Sequence, residues 1–396
     1  MSAAPRWRVA LADPTIEAPE LAAVTEVLRS RWLSAGAQTR RFEQEFAHRL
    51  GVPDAVAVSS GTAALHLAAM ALDLGPGDEV ILPSLSFVAA AAVVALAGAT
   101  PVFADIRGTD DLTVDPAGVE RLVTARTRAV VAMHYGGYPA DIAALRAVAD
   151  RHRLWLVEDA AHAPVVRAGG RALGTYGDLG CFSFYVTKNL TTGEGGMVVA
   201  RDPARLDRIR LTRSHYLTSS GWDRAHSGAA GYDVPGIGLN YRPTELGSAL
   251  GRVQLTRLAA DRARRRALVA VYREILDRVP GLAIPFAGWT GDSAHHLLVV
   301  LLPPGVSRER VRAGLTGAGI QTSVHYPPTH RFSYYRRRFP VAPAGLPVTE
   351  AVAPRLLSLP LHSRMSEADA ALAARTLAGV LAGAAAAPAP TLPRGG

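Results

Sequence analysis

Of the 43 lysine and arginine side chains in the sequence, one alone is a lysine: Lys188, in the run Gly-Cys-Phe-Ser-Phe-Tyr-Val-Thr-Lys-Asn-Leu-Thr-Thr-Gly-Glu-Gly-Gly that ends at Gly196. A guanidinium serves a solvated surface as well as an ammonium does. Only the amine can shed its proton, attack a carbonyl carbon and form an imine. Codon usage biased toward arginine would leave the same composition, so the surrounding residues must decide between amine chemistry and chance.

Two further stretches bear on that choice. Ser59-Ser60-Gly61-Thr62 closes a short apolar run, Ala55–Ser59, and opens a helical stretch, Ala63–Leu72. Unpaired amides and the positive dipole end of a helix N-terminus make a phosphate cradle, and glycine lets a ligand approach the backbone closely. An ordinary Ser/Thr N-cap reads the tetrapeptide equally well. Val157-Glu158-Asp159-Ala160-Ala161-His162 closes another strand-like run, and a carboxylate there points into the crevice where open α/β sheets bind ligands. Taken alone, Asp159 could as well be a cap. Lysine, aspartate and cradle together are what pyridoxal phosphate needs: an amine to hold it, an acid partner for its ring nitrogen, and amides and hydroxyls for its phosphate.

The elements that must position these groups follow a rhythm. Val80–Leu82, Pro101–Ala104, Ala129–Met133 and Leu154–Val157 are short β-rich runs separated by helix-length segments. Phe182–Phe184 and Met197–Ala200 flank the lysine loop as two more. Such alternation predicts parallel strands with crossover helices, an α/β sheet covered on both faces. A long helical pattern covers residues 243–277. After Pro280 the texture changes to a strand (His296–Leu302), a helix (Arg308–Ala318), a strand (Gln321–Val324) and a terminal helix (Glu367–Leu381), an α+β satellite. The expected organisation is an N-terminal arm (1–16), a large α/β domain (17–260), a small C-terminal α+β domain (261–382) and an Ala/Pro/Gly-rich disordered tail (383–396). No repeat of solenoid period is present.

Composition narrows the partners. Hydrophobic residues make up 49% and charged ones 19%, which excludes global disorder. The net charge of +9 invites nucleic acid, but the arginines are scattered apart from runs such as Arg336-Arg337-Arg338, without interleaved aromatics. Attraction to a small anion suits the charge better. The one cysteine, Cys181, forms no intramolecular disulfide and no metal cluster. The first residues lack the apolar core of a signal peptide, and the longest apolar stretch, Val88–Ala99, is too short to span a bilayer. The expectation is a soluble cytoplasmic protein bound to neither membrane nor nucleic acid.

The motifs, taken in order, resemble the DegT/DnrJ/EryC1/StrS family of sugar aminotransferases, pyridoxal-phosphate enzymes of fold type I, from about Ile16 to Leu381. Its markers are Trp32-Leu33-Ser34-Ala35-Gly36 with Phe42-Glu43, Ser60-Gly61-Thr62-Ala63-Ala64-Leu65 and Leu82-Pro83-Ser84-Leu85-Ser86-Phe87. Glu158-Asp159-Ala160-Ala161-His162, Phe182-Ser183-Phe184 through Lys188-Asn189-Leu190, and Thr192-Gly193-Glu194-Gly195-Gly196 follow. Gly238-Leu239-Asn240-Tyr241-Arg242 and His325-Tyr326-Pro327-Pro328 complete the set.

The resemblance implies a large domain with a mostly parallel seven-stranded sheet and a smaller α+β domain. It implies pyridoxal 5′-phosphate, cycling with its pyridoxamine form, held by Lys188 as an imine. Lys188 would then shuttle the proton between substrate and cofactor. Asp159 would pair with the ring nitrogen, Phe87 would stack on the ring, and His162 would lie against the ring or its phenolic oxygen. Gly61, Thr62 and Ser183 would hold the phosphate. Asn240 would reach the phosphate of a neighbouring subunit, which implies a homodimer with shared active sites. His325 and Tyr326 resemble a substrate-side motif. The chain departs from the family at Arg213-Ser214-His215-Tyr216, where the family commonly has Arg-x-His-Gly. Tyr216 and the extended segment 217–233 therefore bear on substrate shape.

The activity implied is transfer of an amino group from glutamate or glutamine to a keto-sugar, nucleotide-linked, in amino-sugar or secondary-metabolite biosynthesis. Rival readings are a keto-cyclitol aminotransferase of the scyllo-inosose type, a related sugar dehydratase, and a non-catalytic ligand-binding protein that keeps the fold. Some dehydratase relatives carry histidine at the lysine position, so Lys188 argues against that rival.

Overall fold

The structure, a computed structural model, describes residues 7–228, 231–339, 341 and 345–386. Seven strands form its main sheet: β1 (Val56–Val58), β2 (Glu79–Pro83), β3 (Thr100–Ala104), β4 (Thr127–Met133), β5 (Trp155–Asp159), β8 (Leu179–Ser183) and β9 (Gly196–Ala200). Between β5 and β8 a two-residue hairpin, β6 (Arg167–Ala168) and β7 (Arg171–Ala172), stands apart. The order across the main sheet is β1-β9-β8-β5-β4-β2-β3. All neighbours pair in parallel except β9, which runs antiparallel to both β8 and β1.

The strands are short runs of Val, Ile, Leu and Ala because both faces of the sheet are covered. Successive residues face opposite sides of a strand. Val80 and Leu82 accordingly join a core with helices Gly61–Ala71, Ala89–Leu96 and Pro203–Thr212, while Ile81 joins Leu145 and Val148 of helix Ile142–His152. Phe42 and Phe46 of helix Ala37–Leu50 pack with Phe182, Phe184 and Met197 beneath the lysine loop.

A second core lies around β10 (Leu298–Leu301) and β11 (Leu356–Leu359), an antiparallel pair packed by helices Arg308–Gly317 and Glu367–Ala386. Helix Glu245–Leu276 is continuous across the expected boundary at 260/261. Leu255 and Leu258 belong to the core of the large sheet, and Leu268, Tyr272 and Leu276 to the second. Residues 7–16 lie along the second core through a bridge from Val9 to Ile320, while residues 1–6 of the expected arm fall outside the described residues.

Two expectations are corrected. Residues 321–324 do not form a strand. Gln321 donates its N–H to the Val9 carbonyl (3.0 Å) and Ser323 pairs with Ser358, so the segment divides between two partners. Residues 383–386, expected in the tail, are helical: the terminal helix spans Glu367–Ala386, favoured by alanine's high helix propensity. Residues 387–396 lie outside the described residues.

Candidate active site

Lys188 sits in the loop that joins β8 to β9. The loop closes on itself: Phe184 donates its N–H to the Gly195 carbonyl (2.8 Å), Thr192 to Phe184 (2.9 Å), and Lys188 to Tyr185 (2.9 Å). Next to it, Asn189 is buried. This small hairpin loop holds the lysine backbone over the ends of the sheet rather than at its outer edge.

A cavity of about 510 Å³ opens there. Its walls come from strand ends: Ser60 after β1, Phe87 after β2, Met133 of β4, Asp159 of β5 and Ser183 of β8, with Lys188 over them and Tyr326 from the C-terminal part of the chain. Asp159 is buried, and among the described residues the one hydrogen bond its carboxylate makes is from the Ala161 amide at 3.1 Å. Burial pushes its pKa up, against the pull of that amide, Lys188 and His134. Burial likewise brings the Lys188 amine down to about 8, with Asp159 opposing the shift. Burial thus disfavours the charged form of both groups, and each is in turn the countercharge that opposes the other's shift.

The helix Gly61–Ala71 starts at the cavity wall. Ser60 caps it, its Oγ accepting the Ala63 N–H at 3.0 Å, which leaves the Gly61 and Thr62 amides as the first donors, unpaired among the described residues. Glycine is required at 61 by close approach: a Cβ would meet the Ser183 Cβ at 2.7 Å. The Ser183 hydroxyl is thereby brought beside those amides, a three-donor cradle.

His162 is 1% exposed and fixed at both ring nitrogens. The Gly136 N–H donates to Nδ1 (3.2 Å), so Nε2 carries the hydrogen and donates to the Tyr326 hydroxyl at 2.8 Å. Burial, with Lys188 and His325 nearby, holds its pKa well below the usual histidine range. His325 is brought to about 4 by burial and Lys188, and its Nδ1 pairs with the Ser358 hydroxyl (2.9 Å). Tyr135 donates to the His325 carbonyl. Phe87 and Tyr326 rings lie 5.7 Å apart across the mouth. Burial raises the Tyr326 phenol well above its ordinary range.

Lys188, Asp159, Gly61, Thr62, Phe87, His162, Ser183, His325 and Tyr326 thus line one cavity. Tyr216 and Asn240 do not join it within one chain. His215 and Tyr216 adopt positive φ (58° and 61°), which turns Tyr216 back so that its N–H meets the Leu211 carbonyl and its ring packs over Gly236. Asn240 is exposed; its neighbour Tyr241 gives its carbonyl to the Ser59 N–H (2.9 Å), placing Asn240 beside the end of β1.

Sequence reasoning missed several residues. Glu194 and Cys181 also line the cavity. Glu158 is fully buried and accepts from the Gly174 and Gly177 amides and from His134 Nε2. Glu245 accepts from the amides of Gly36, Gln38 and Thr39 and so caps helix Ala37–Leu50 from 206 or more residues away. Glu158 and Glu194 were visible as members of the marker runs and Cys181 as the one cysteine, with no site role attached to any of them. Glu245 gave no signal. Among the described residues no cluster of three or more His, Cys, Asp or Glu could hold a metal ion, and no helix is long and apolar enough to cross a membrane.

A lysine and a buried aspartate facing each other at strand ends, beside a helix-start anion cradle, define an α/β enzyme of amine chemistry. The DegT/DnrJ/EryC1/StrS aminotransferase family model matches residues 14–377, and the chain belongs to that family of aminotransferases. It is 42% identical over 361 residues to the spore coat polysaccharide biosynthesis protein SpsC of Bacillus subtilis (strain 168), covering 90% of this chain and 92% of that one. Among solved structures it resembles the aminotransferase TlmJ from Streptoalloteichus hindustanus, with a TM-score of 0.88 and 36% identity over 96% of this chain and 100% of that one. It also resembles DesI, solved in the presence of its TDP-sugar product, with a TM-score of 0.84 and 34% identity over 96% and 94% of the two chains.

Proposed function

We propose that this aminotransferase moves an amino group from glutamate or glutamine to a nucleotide-linked keto-sugar, as a homodimer whose subunits complete each other's sites. The observation that carries the reading is the Lys188–Asp159 pair in one cavity with the cradle at Gly61. The cofactor is pyridoxal 5′-phosphate. The residues fit it on three counts: a glycine whose Cβ would fill the cradle and, among the described residues, two unpaired helix-start amides and a buried carboxylate with a single hydrogen-bond donor.

When bound, the cofactor supplies an aldehyde for amines and a ring that accepts electrons. The chain's residues do the rest. Lys188, with its amine brought to about 8, is neutral often enough to bond a carbonyl carbon and, once released, takes up and returns a proton at Nζ. Asp159 accepts a hydrogen bond from a cationic ring N–H, and that cation offsets the burial that raises its pKa. The Gly61 and Thr62 amides and the Ser183 hydroxyl hold the phosphate. His162, neutral and donating to Tyr326, presents an apolar imidazole face without adding charge. Phe87 and Tyr326 screen the mouth from water.

An arginine-rich second cavity of about 440 Å³ supports an anionic diphosphate on the acceptor. Of its arginines, Arg40 pairs with Asp223, and Arg210 and Arg213 with Glu43. Arg224 lies over Tyr232. Arg242 makes its hydrogen bond to the uncharged Ser214 hydroxyl (3.1 Å) and has no carboxylate partner among the described residues. The relative solved with a TDP-sugar product supports the same substrate class.

The test supplies cofactor-loaded protein with dTDP-keto-hexoses or scyllo-inosose, each with glutamate or glutamine, and reads products by mass spectrometry. Amination of the cyclitol alone overturns the nucleotide-sugar reading. Mixing Lys188→Ala and Asn240→Ala subunits tests the shared site: about a quarter of wild-type activity returns if sites are shared, since half the dimers are hybrid and each has one intact site. No recovery on mixing refutes it.

A further inference from the structure

The residue after the lysine is tied into a buried relay that ends at the cavity wall. Asn189 is buried, and its Nδ2 donates to the Ala294 carbonyl at 2.7 Å, which fixes the amide so that Oδ1 faces His296 Nδ1 at 2.8 Å. Nδ1 of His296 therefore carries the hydrogen. The His296 ring packs on the His162 ring with centroids 4.3 Å apart. His162 in turn holds the Tyr326 hydroxyl over the cavity.

The backbone of this relay is equally fixed. The His296 N–H donates to the Gly136 carbonyl (2.8 Å), while the Gly136 N–H donates to His162 Nδ1, so one glycine sets both histidines. Gly137, at φ +92°, admits no side chain: a Cβ would stand 2.9 Å from the Ala294 Cβ and the His162 carbonyl. Arg265 Nη1 closes the far side with the carbonyls of His296 (3.4 Å) and Leu361 (2.8 Å). Asn189 and His296 do not line the cavity, yet they connect the loop of Lys188 to the ring of His162.

We propose that Asn189 is a positioning residue, acting through His296: one buried amide sets both the height of the Lys188 amine and the orientation of the His162–Tyr326 pair facing the cofactor. The proposal rests on the aminotransferase reading and deepens it. Burial disfavours a cationic imidazole at both His296 and His162, Lys188 and His325 add to this at each, Arg265 does so at His296, and Asp159 opposes the shift of Lys188. Loss of the relay thus changes geometry and the proton balance around Lys188 together.

The test uses the holoenzyme and three variants, Asn189→Ala, His296→Phe and the double substitution. Readouts are the pH at which the bound cofactor's visible band changes, the cofactor dissociation constant, and kcat against donor KM. Each single variant is expected to move the spectral transition by about half a unit or more and to lower kcat about ten- to a hundredfold. The double variant is expected to match the singles, because both act through one contact. Additive effects, or a lowered melting temperature with an unmoved spectral transition and kcat, overturn the proposal. Should Asn189→Ala fail to fold, His296→Phe carries the same expectation. The wild-type protein offers a check free of variants: imidazole nitrogen shifts must report His296 as neutral with its hydrogen on Nδ1, and any other tautomer overturns the relay. A wild-type protein with no visible band would instead refute the cofactor reading itself.

Discussion

Replacing Gly61 by alanine tests the phosphate cradle with the smallest possible change. The added Cβ would lie 2.7 Å from the Ser183 Cβ, 3.1 Å from its Oγ and 3.3 Å from its Cα. Contacts with Cβ and Cα cannot be relieved by rotating a side chain, so the first turn of helix Gly61–Ala71 must withdraw from β8. Such overpacking costs about 1–3 kcal/mol of stability. The same shift takes the Gly61 and Thr62 amides off the phosphate. Loss of one hydrogen bond to a charged group, about 2 kcal/mol, weakens cofactor binding roughly thirtyfold. Titration of cofactor-free protein, followed by absorbance, measures this directly. Pyridoxal without its phosphate serves as the control and should lose less than about threefold. Removing the obstructing carbon with Ser183→Gly in the Gly61→Ala background should recover part of the lost stability but not the lost phosphate affinity, because the Ser183 hydroxyl leaves with it. The reasoning fails if Gly61→Ala binds the cofactor as tightly as wild type, or if phosphate-free pyridoxal is weakened equally.

Two further outcomes follow from buried charge. Because burial brings the Lys188 amine from 10.5 to about 8, the unfolded chain binds more protons than the folded one between those values. Cofactor-free protein should therefore gain stability as pH rises from about 8 to 10.5, and Lys188→Met should flatten that rise in a denaturant titration; parallel curves would refute it. Glu158→Gln replaces a fully buried acceptor of three hydrogen bonds with a group that must turn an amide toward at least one donor. It should lower unfolding stability by about 3 kcal/mol, and a change in urea midpoint worth less than about 0.5 kcal/mol would show the carboxylate to be dispensable.

Much of the site was legible because its chemistry is local. The lone Lys188, Asp159 at a strand end and Ser60-Gly61-Thr62 at a helix start each sit at a boundary that hydrophobic runs mark. The strands of the large sheet were legible for the same reason, being apolar on both faces. What escaped depends on partners far away in sequence. β11 is four residues long and is defined by its pairing with β10. Glu245 serves a helix more than 200 residues earlier, and Asn189 reaches His296 across 107 residues. Residues 321–324 have strand-like composition, but their hydrogen bonds go to Val9 and Ser358 separately. Tyr216 departs from the family pattern in a way the sequence exposes, yet its direction is set by two positive φ angles that no composition announces.

The 32 residues of helix Glu245–Leu276 make a rod about 48 Å long at 1.5 Å per residue. Its first half is fastened under the lysine loop and its second half beneath the β10–β11 pair. Scissors placed near residue 260 would cut this beam at mid-span and leave two raw apolar stumps. Neither half of the molecule is thus a ready-made module, and anyone wishing to graft a different C-terminal unit onto this sheet would have to splice within the beam, turn for turn.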